Sequence, residues 1–210
     1  MNISSKLIIS VQLRGGLGNQ LFQLASAYEL SLKYDRLLII GDSEQMYNIC
    51  PYWNTIFKKF QHFLVSKEKF KEINKCAVVY NWAMYRFEFK EIILNKDVRV
   101  YCIQGYYQSY MYFHMETFKE MLLLNSLHSS KISKDDVAVH IRRTDYLQKN
   151  IHKTMSLDYY YNCINDISKT TNIDKIYIFS DDIQWCINNF KIDIPVHYVN
   201  TKDDVDDLSL

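Results

Sequence analysis

The chain has 210 residues, and its 25 basic and 24 acidic side chains give a formal net charge of +1 at pH 7. With 48% hydrophobic and 23% charged residues, the composition is that of a globular protein able to bury a sizeable core. A chain this close to neutral lacks the broad basic field that holds a polyphosphate backbone, which excludes a general nucleic-acid binder.

Cysteine usage and hydropathy predict a cytoplasmic protein. The count of 5 cysteines is odd, no pair has CxxC spacing, and none has a histidine at metal-ligand distance. We therefore expect reduced, mostly buried thiols and no metal site. The apolar run at 7–11 is too short for a signal segment or a membrane span, and no other window approaches about 20 apolar residues.

The chain opens with a β-loop-α-β pattern. Residues 7–13 predict a strand, RGGLGN a tight loop, and residues 20–33 a helix capped by Asn19. On that helix we expect Leu21, Leu24, Ala25, Tyr28 and Leu32 to share one face. The run LLII at 37–40 predicts a second, buried strand.

The glycine-rich loop has two interpretations. Between a strand and a helix N-terminus, glycines let backbone N–H groups approach an anion, with Gly16, Gly18, Asn19 and Gln20 as candidates and the two amides offering free donors and acceptors. The alternative is a tight turn without a ligand. The loop is neither a P-loop nor GxGxxG, because a third glycine would fall on Leu21. A dinucleotide oxidoreductase is therefore disfavoured.

The middle of the chain is less regular. Residues 42–97 are rich in aromatic side chains and predict short helices and edge strands. A strand at 98–103 and a helix at 110–124 follow. The polar stretch at 125–136 predicts a linker, which divides the chain into domains at 1–128 and 129–210.

The second half has a clear α/β rhythm. Strands are predicted at 137–141, 175–179 and 196–199, and helices at 157–170, capped by Ser156, and at 182–190. This order is typical of a parallel, doubly wound sheet. The final residues, 206–210, look like the first turn of a helix at which the sequence stops.

The segment VAVHIRRTDY places fixed charge at the end of a buried strand. Ligands bind beyond the carboxyl ends of strands in open α/β sheets, and guanidinium groups bind phosphate oxygens bidentately. Alternation places His140 and Arg142 on one side of the strand and Arg143 on the other. One arginine would then meet a ligand and the other a carboxylate such as Asp145. A solvated Arg–Asp turn is the alternative that these residues leave open.

The next strand also ends in polar residues, Ser180, Asp181 and Asp182. Ser180 or Asp181 would serve as a plain N-cap. A carboxylate here would otherwise bind ribose hydroxyls or hold an arginine in place. The final acidic cluster, on charge alone, is a solvated stretch.

Taken in order, GGLGNQLFQ, GYYQS, VAVHIRRTDYL, SLDYY, IYIFSDD and DLSL resemble the family 11 glycosyltransferases, the bacterial α-1,2-fucosyltransferases. The resemblance implies a GT-B fold, with two Rossmann-like domains facing across a cleft. It implies inverting, metal-independent transfer of L-fucose from GDP-β-L-fucose to the 2-hydroxyl of a terminal galactose. The acceptor would be a β-galactoside glycan or lipid-linked oligosaccharide, as in O-antigen synthesis, at the inner face of the plasma membrane. No cofactor and no nucleic acid are implied.

The resemblance also assigns roles to residues. Arg142 matches the arginine that neutralises the GDP diphosphate, with Arg143 and Asp145 as its supporting partners. His140 would lie next to the donor nucleotide, and Asp207 would read the guanine. Asp181 is a further donor-binding candidate because of its position at the end of a strand, not because of the resemblance. Gly16, Gly18, Asn19 and Gln20 match a loop of the N-terminal, acceptor-side domain that closes over the sugar diphosphate.

One departure from the family concerns the end of the sequence. After DLxL the family continues with an NSxFSWWG segment, which is absent from the 210 residues. The departure predicts a C-terminal truncation and an incomplete second domain. It also keeps open an alternative function, a catalytically inactive nucleotide-binding fragment or interaction domain.

Overall fold

The computed structural model describes residues 5–42, 52–81, 88–122, 132–148, 153–201 and 203–208. The chain divides into two compact units, Met1–Leu124 and Asn125–Leu210. The roles predicted for domains 1–128 and 129–210, and a cleft between them, stay predictions. No helix among the described residues is long and apolar enough to cross a membrane.

The first unit is built on a parallel sheet in the order β3-β2-β1-β5-β4. Its strands are β1 Ile8–Gln12, β2 Leu37–Gly41, β3 Leu64–Val65, β4 Val78–Tyr80 and β5 Val100–Ile103. The central strands are apolar and buried on both faces, as parallel sheets require. A core cluster joins Ile8, Ile39 and Val100 of the sheet to Phe70 and Ile73.

Helices and 3₁₀ turns cover this sheet. The helices are α1 Leu17–Lys33, α2 Lys67–Ile73 and α3 Met115–Met121, and the 3₁₀ turns are Lys58–Phe63, Asn74–Cys76 and Tyr110–Tyr112. The aromatic region packs on α1, where the rings of Tyr28 and Phe60 meet edge to face at 5.4 Å. Those predictions that fall on 43–51 and 82–87 lie outside the described residues.

Two helix predictions in this unit are wrong. The stretch predicted as one helix at 110–124 is a 3₁₀ turn and α3, separated by Phe113 in an extended conformation. Extended backbone lets Phe113 pack edge-on against Phe22 of α1, at 5.9 Å between ring centroids. In α1 the predicted apolar face is also shifted, because Leu32 is exposed while Ser26 and Ser31 are buried.

The second unit has a parallel sheet in the order β6-β7-β8, with β6 Val137–Ile141, β7 Ile176–Ser180 and β8 Val196–Tyr198. Its helices are α4 Thr144–Gln148, α5 Leu157–Ser168, α6 Ile183–Asn189 and α7 Asp204–Leu208. Ser156 caps α5 as predicted, accepting a hydrogen bond from the Tyr159 amide. The core joins Val139, Ile141, Ile164, Ile176, Ile178, Cys186 and Phe190.

One short helix of this unit was not predicted from the sequence. The two arginines that follow β6 lead directly into α4, where we expected only a turn. The acidic stretch near the end of the sequence forms α7, which agrees with the helical first turn expected there and not with a solvated stretch. Of the four cysteines that the structure describes, Cys102 and Cys186 are buried while Cys76 and Cys163 are exposed, and all are free thiols. The expectation of mostly buried thiols is therefore met only by half of them.

Candidate functional site

Arg142 stands at the carboxyl end of β6 with about half of its side chain exposed. Its Nε lies 2.8 Å from Oδ1 of Asp145 and 3.4 Å from Oδ2 of Asp181. The hydrogen bond to Asp145 raises the pKa of Arg142, and the charges of both carboxylates act in the same direction. Both contacts use Nε, so within the described part of the chain the two terminal nitrogens of the guanidinium have no hydrogen-bond partner.

Asp181 anchors the loop that carries the arginines. Its Oδ1 accepts a hydrogen bond from the Arg143 amide at 2.8 Å. Its Oδ2 accepts two from Thr144, one from the amide at 3.2 Å and one from the hydroxyl at 2.6 Å. Burial alone would raise the pKa of the Asp181 carboxyl, but these hydrogen bonds and the charge of Arg142 outweigh burial and lower it.

Arg143 faces the protein rather than solvent. Its guanidinium carbon lies 3.5 Å from the ring centroid of Trp185, and its Nε donates to Oδ2 of Asp182 at 3.2 Å. Only 15% of its side chain is exposed, compared with 47% for Arg142. The two arginines, which follow the last residue of β6, therefore have different surroundings, as the sequence predicts.

Two predictions about carboxylates, the partner of Asp145 and the N-cap of α6, are wrong. We expected one arginine to face a ligand and the other to meet Asp145, but Asp145 is paired with Arg142, the exposed one. Arg142 and Asp145 are three residues apart at the start of α4, which brings their side chains together. Asp182, not Ser180 or Asp181, is the N-cap of α6 and accepts from the Trp185 amide.

The remaining predicted residues of this unit, His140 and Asp207, make no hydrogen bond or ion pair with Arg142 or Arg143 within the described residues. His140 is exposed on β6 and makes no side-chain hydrogen bond within the described residues. Asp207 lies in α7 and accepts a hydrogen bond from the hydroxyl of Thr201. An open groove of about 710 Å³ lies beside Phe190 and Tyr198, near the start of β8, and none of the predicted site residues lines it. We therefore place the candidate site at the two arginines rather than at this groove.

In the first unit, the loop after β1 differs from its predicted form. The helix begins at Leu17 with Gly16 as N-cap, so Gly18, Asn19 and Gln20 belong to its first turn and Asn19 is not the cap. Burying Leu17, which is 6% exposed, explains the early start. Gly15 has φ +79°, and a Cβ there would lie 2.6 Å from Nδ2 of Asn19. Gly16 and Gly18, by contrast, have open space around them.

The amides of this loop are largely internal. Gln20 is 2% exposed, and its Nε2 donates to the Gly15 carbonyl at 2.9 Å, so the prediction that it offers free donors is wrong. Gln23, also 2% exposed, donates to the carbonyls of Arg14 and Asn19 and accepts from the Arg14 amide. Asn19 accepts from the side chain of Gln108 at 2.8 Å. The loop is thus held by side-chain amides.

Sequence reasoning missed several of these residues. Gln23 lies one turn beyond the glycines, and only its position on the buried face of α1 reveals its role. Trp185 follows Asp182 by three residues, a spacing that we interpreted only as helix. Gln108 belongs to GYYQS, a segment we noted without giving the glutamine a role.

No group of three His, Cys, Asp or Glu side chains that could hold a metal ion occurs within the part of the chain that the structure describes.

Comparison with known proteins decides the family. Residues 2–210 match the sequence model of glycosyl transferase family 11. The chain belongs to this family. As a family 11 member it is a glycosyltransferase, and the resemblance recognised in the motifs is confirmed.

Two relatives of this family 11 chain come from Escherichia coli. The O-antigen biosynthesis glycosyltransferase WbnK is 28% identical, and the match covers 89% of this chain and 76% of the relative. An alpha-1,2-colitosyltransferase is also 28% identical, with 85% of this chain and 70% of the relative covered.

Solved structures confirm the predicted fold class, a GT-B-like α/β protein. The fucosyltransferase NodZ from Bradyrhizobium gives a TM-score of 0.56 at 14% identity, covering 98% of this chain and 83% of that chain. POFUT1 in complex with GDP-fucose gives 0.50 at 13% identity, covering 97% and 87%. At these identities the likeness concerns the fold alone.

Proposed function

We propose that the chain is an α-1,2-fucosyltransferase that moves L-fucose from GDP-β-L-fucose to the 2-hydroxyl of a terminal galactose, with inversion at C1. The observation that carries the proposal is the arrangement of Arg142 in a family 11 chain. Asp145 and Asp181 contact the guanidinium at Nε, and its two terminal nitrogens donate no hydrogen bond to any of the described residues. A planar fork of this kind suits the oxygens of a diphosphate.

The chemistry that this arrangement supports is leaving-group stabilisation. When the acceptor oxygen attacks C1 of the donor sugar, the C1–O bond breaks and its electron pair goes to the β-phosphate of GDP. Fixed positive charge beside that phosphate stabilises the transition state without a metal ion. Arg142 supplies the charge, while Arg143, packed on Trp185, maintains the loop geometry. The proton of the acceptor hydroxyl goes to a base that we do not assign.

Other residues in the proposal bind the rest of the donor. Asp207 reads the guanine, and His140 lies beside the nucleotide. Asp181 acts indirectly, because its oxygens already bind Arg143 and Thr144, and it holds the loop rather than ribose hydroxyls. Asn19 of the first unit contributes to closing over the sugar diphosphate, together with the open backbone of Gly16 and Gly18.

The names of the relatives support a role in cell-surface glycan synthesis. One is an O-antigen biosynthesis glycosyltransferase, and the other is named for the transfer of colitose. We therefore propose a β-galactoside glycan or lipid-linked oligosaccharide as acceptor, in the cytoplasm at the inner face of the plasma membrane. Colitose is the second candidate donor sugar, because a relative of equal identity is named for it.

The test is a transfer assay with GDP-fucose and lactose in the presence of EDTA, with mass spectrometry and NMR of the product. We expect fucosylated lactose with the new linkage at the galactose 2-hydroxyl. Transfer from nucleotide-activated colitose alone would replace fucose by the second candidate. GDP binding without transfer from either donor would favour the inactive nucleotide-binding or interaction domain, and a requirement for added metal would refute the metal-independent mechanism.

A further inference from the structure

Trp185 connects the core of the second unit to the loop that carries the arginines. It lies in the first turn of α6, three residues after Asp182, and packs against the core cluster of this unit. The guanidinium carbon of Arg143 lies over its ring, 3.5 Å from the ring centroid. At this distance the ring face replaces part of the hydration that a cation loses on burial. The ring is therefore an anchored platform for one of the two arginines.

Asp182 completes a closed cluster with Trp185 and Arg143. Its Oδ1 accepts a hydrogen bond from the Trp185 amide at 3.3 Å, and its Oδ2 accepts one from Nε of Arg143 at 3.2 Å. Each of the three residues thus contacts the other two. The side chain of Arg143 is only 15% exposed. A guanidinium withdrawn from water to this extent needs both partners to compensate for its lost hydration.

The residues on both sides of Arg142 are held by the end of β7 and by this cluster. On one side, the hydroxyl of Ser180 donates to the Ile141 carbonyl at 2.7 Å. On the other side, the cluster holds Arg143. Within the described residues, no hydrogen bond or ring contact joins Trp185 to Arg142 itself. An effect of the ring on Arg142 must therefore pass through Arg143.

The stacked ring also separates the partners of the two arginines. Nε of Arg142 lies 2.8 Å from Asp145 and 3.4 Å from Asp181. The amide of Arg143 donates to Asp181 as well, so this carboxylate is within reach of both residues. Without the ring of Trp185, the Arg143 guanidinium would be free to approach the same carboxylates, because both cations are attracted to the same negative charges. The ring keeps the two sets of contacts apart.

We propose that Trp185 is a positioning residue, which holds Arg143 so that Arg142 presents its terminal nitrogens to an anionic ligand. The aromatic face is the property that matters, because an aliphatic side chain offers no negative ring face to a cation. Phenylalanine should therefore substitute for Trp185, and leucine should not. The identity of the anion, a nucleoside diphosphate, rests on the proposed function. The coupling between Trp185 and Arg142 does not require transfer of a sugar.

NMR titration of the 210-residue chain with GDP tests the inference, since this method also measures weak binding. Trp185→Leu should weaken GDP binding about tenfold, because Arg143 loses the ring face that orients it. Trp185→Phe keeps an aromatic face, and should bind GDP within about threefold of the unmodified chain. The matched control Gln184→Leu changes the exposed neighbour of Trp185 on α6, and should bind GDP as the unmodified chain does.

A double-mutant cycle separates positioning from general stabilisation of the fold. In an Arg142→Ala background, Trp185→Leu should weaken GDP binding by less than about twofold, because the group that it positions is already absent. A ring that only stabilises the fold would weaken binding by the same factor in both backgrounds, and that result would overturn the inference. So would the absence of GDP binding by the unmodified chain, or equal losses in the leucine and phenylalanine variants.

If Trp185→Leu fails to fold, Asp182→Asn decides. Asparagine caps a helix about as well as aspartate, so this variant keeps the N-cap of α6 and removes the charge that faces Arg143. We expect about threefold weaker GDP binding with Arg142 present and no change in the Arg142→Ala background. An equal loss in both backgrounds would overturn the inference. Coupled GDP binding without any fucosyl transfer would leave it standing and refute the proposed function instead.

Discussion

The loops that follow the first strand of each unit are fixed by different chemistry. After β1, the amides of Gln20 and Gln23 bond to backbone carbonyls, and both side chains are almost completely buried. After β6, Asp181 holds the loop through a carboxylate, in contact with an arginine that is about half exposed. A neutral loop tolerates burial at little cost, whereas a charged loop stays near water and can offer its charge to a ligand. The two loops should therefore respond differently to substitution and to pH.

The largest effect is expected at the charged loop. Arg142→Ala should lower the rate of fucosyl transfer by about 10²–10³-fold, because in the proposed mechanism Arg142 is the cation that stabilises the leaving β-phosphate. Circular dichroism should show an intact fold, since the side chain is about half exposed. Arg142→Lys keeps the positive charge but loses the planar guanidinium with its paired donors. Its transfer rate should therefore lie between those of the unmodified chain and the alanine variant. Unfolding of the alanine variant would mean instead that Arg142 is structural.

The next effect concerns the stability of the neutral loop. Gln23→Leu should lower the free energy of unfolding by about 2–3 kcal/mol, because it removes the three hydrogen bonds that the almost completely buried Gln23 amide makes with the backbone of Arg14 and Asn19. Gln20→Leu, which removes a single hydrogen bond to Gly15, should cost less and is the matched comparison. Urea denaturation measures both. Equal losses would show that the number of hydrogen bonds does not decide loop stability.

A smaller effect distinguishes the glycines of the neutral loop. Gly15→Ala should cost about 1–2 kcal/mol, because φ is +79° there and L-residues avoid the left-handed region. Gly18→Ala should instead stabilise the chain by about 0.4–1 kcal/mol, since it lies in the first turn of α1 with nothing within 4 Å. Thermal unfolding compares the two. If Gly18→Ala also slows transfer, its open surface serves the donor.

The smallest effect is a dependence on pH, confined to the charged loop. The pKa of Asp181 is lowered in the folded chain, so its contribution to stability is complete above the unfolded value near 4 and is lost as pH falls through the lower, folded pKa. Asp181→Asn should therefore flatten the fall in melting temperature between about pH 5 and pH 2. Gln20→Leu should leave that slope unchanged. If the unmodified chain, Asp181→Asn and Gln20→Leu all show the same slope, the acid sensitivity does not come from Asp181.

Local sequence predicts the strands well and the contacts between them poorly. The run LLII identifies β2, because buried parallel strands are continuously apolar. The run VAVHI identifies β6 although only Val139 and Ile141 of this strand are buried. The placement of β5 beside β1 joins residues more than 90 positions apart, which no local pattern reveals. Gln20 was misjudged for the same reason. Its residue type suggests a ligand contact, but tertiary packing buries it.

Local sequence likewise predicts the surroundings of the two arginines only in part, because their partners are distant in sequence. Strand alternation predicts that Arg142 and Arg143 differ in their surroundings. The contacts of Asp181 with the arginine loop depend on the register of β6 and β7. This register pairs Ile141 with Ser180, and it therefore brings the residues that follow them, Arg142 and Asp181, close together. The hydrogen bonds to the Arg143 and Thr144 amides follow from that register.

The helix α4 has a consequence for the order of folding. It contains five residues, Thr144–Gln148, far fewer than the roughly 12–15 that a helix needs to persist alone in water. The carboxylate that binds its first amides comes from Asp181, which is 37 residues away from Thr144 in sequence. A chain synthesised from its N-terminus therefore displays both arginines before the residue that orders them exists. The geometry of the proposed anion site is acquired only when β7 pairs with β6, so an immature chain carries the two charges without the carboxylate that orders them.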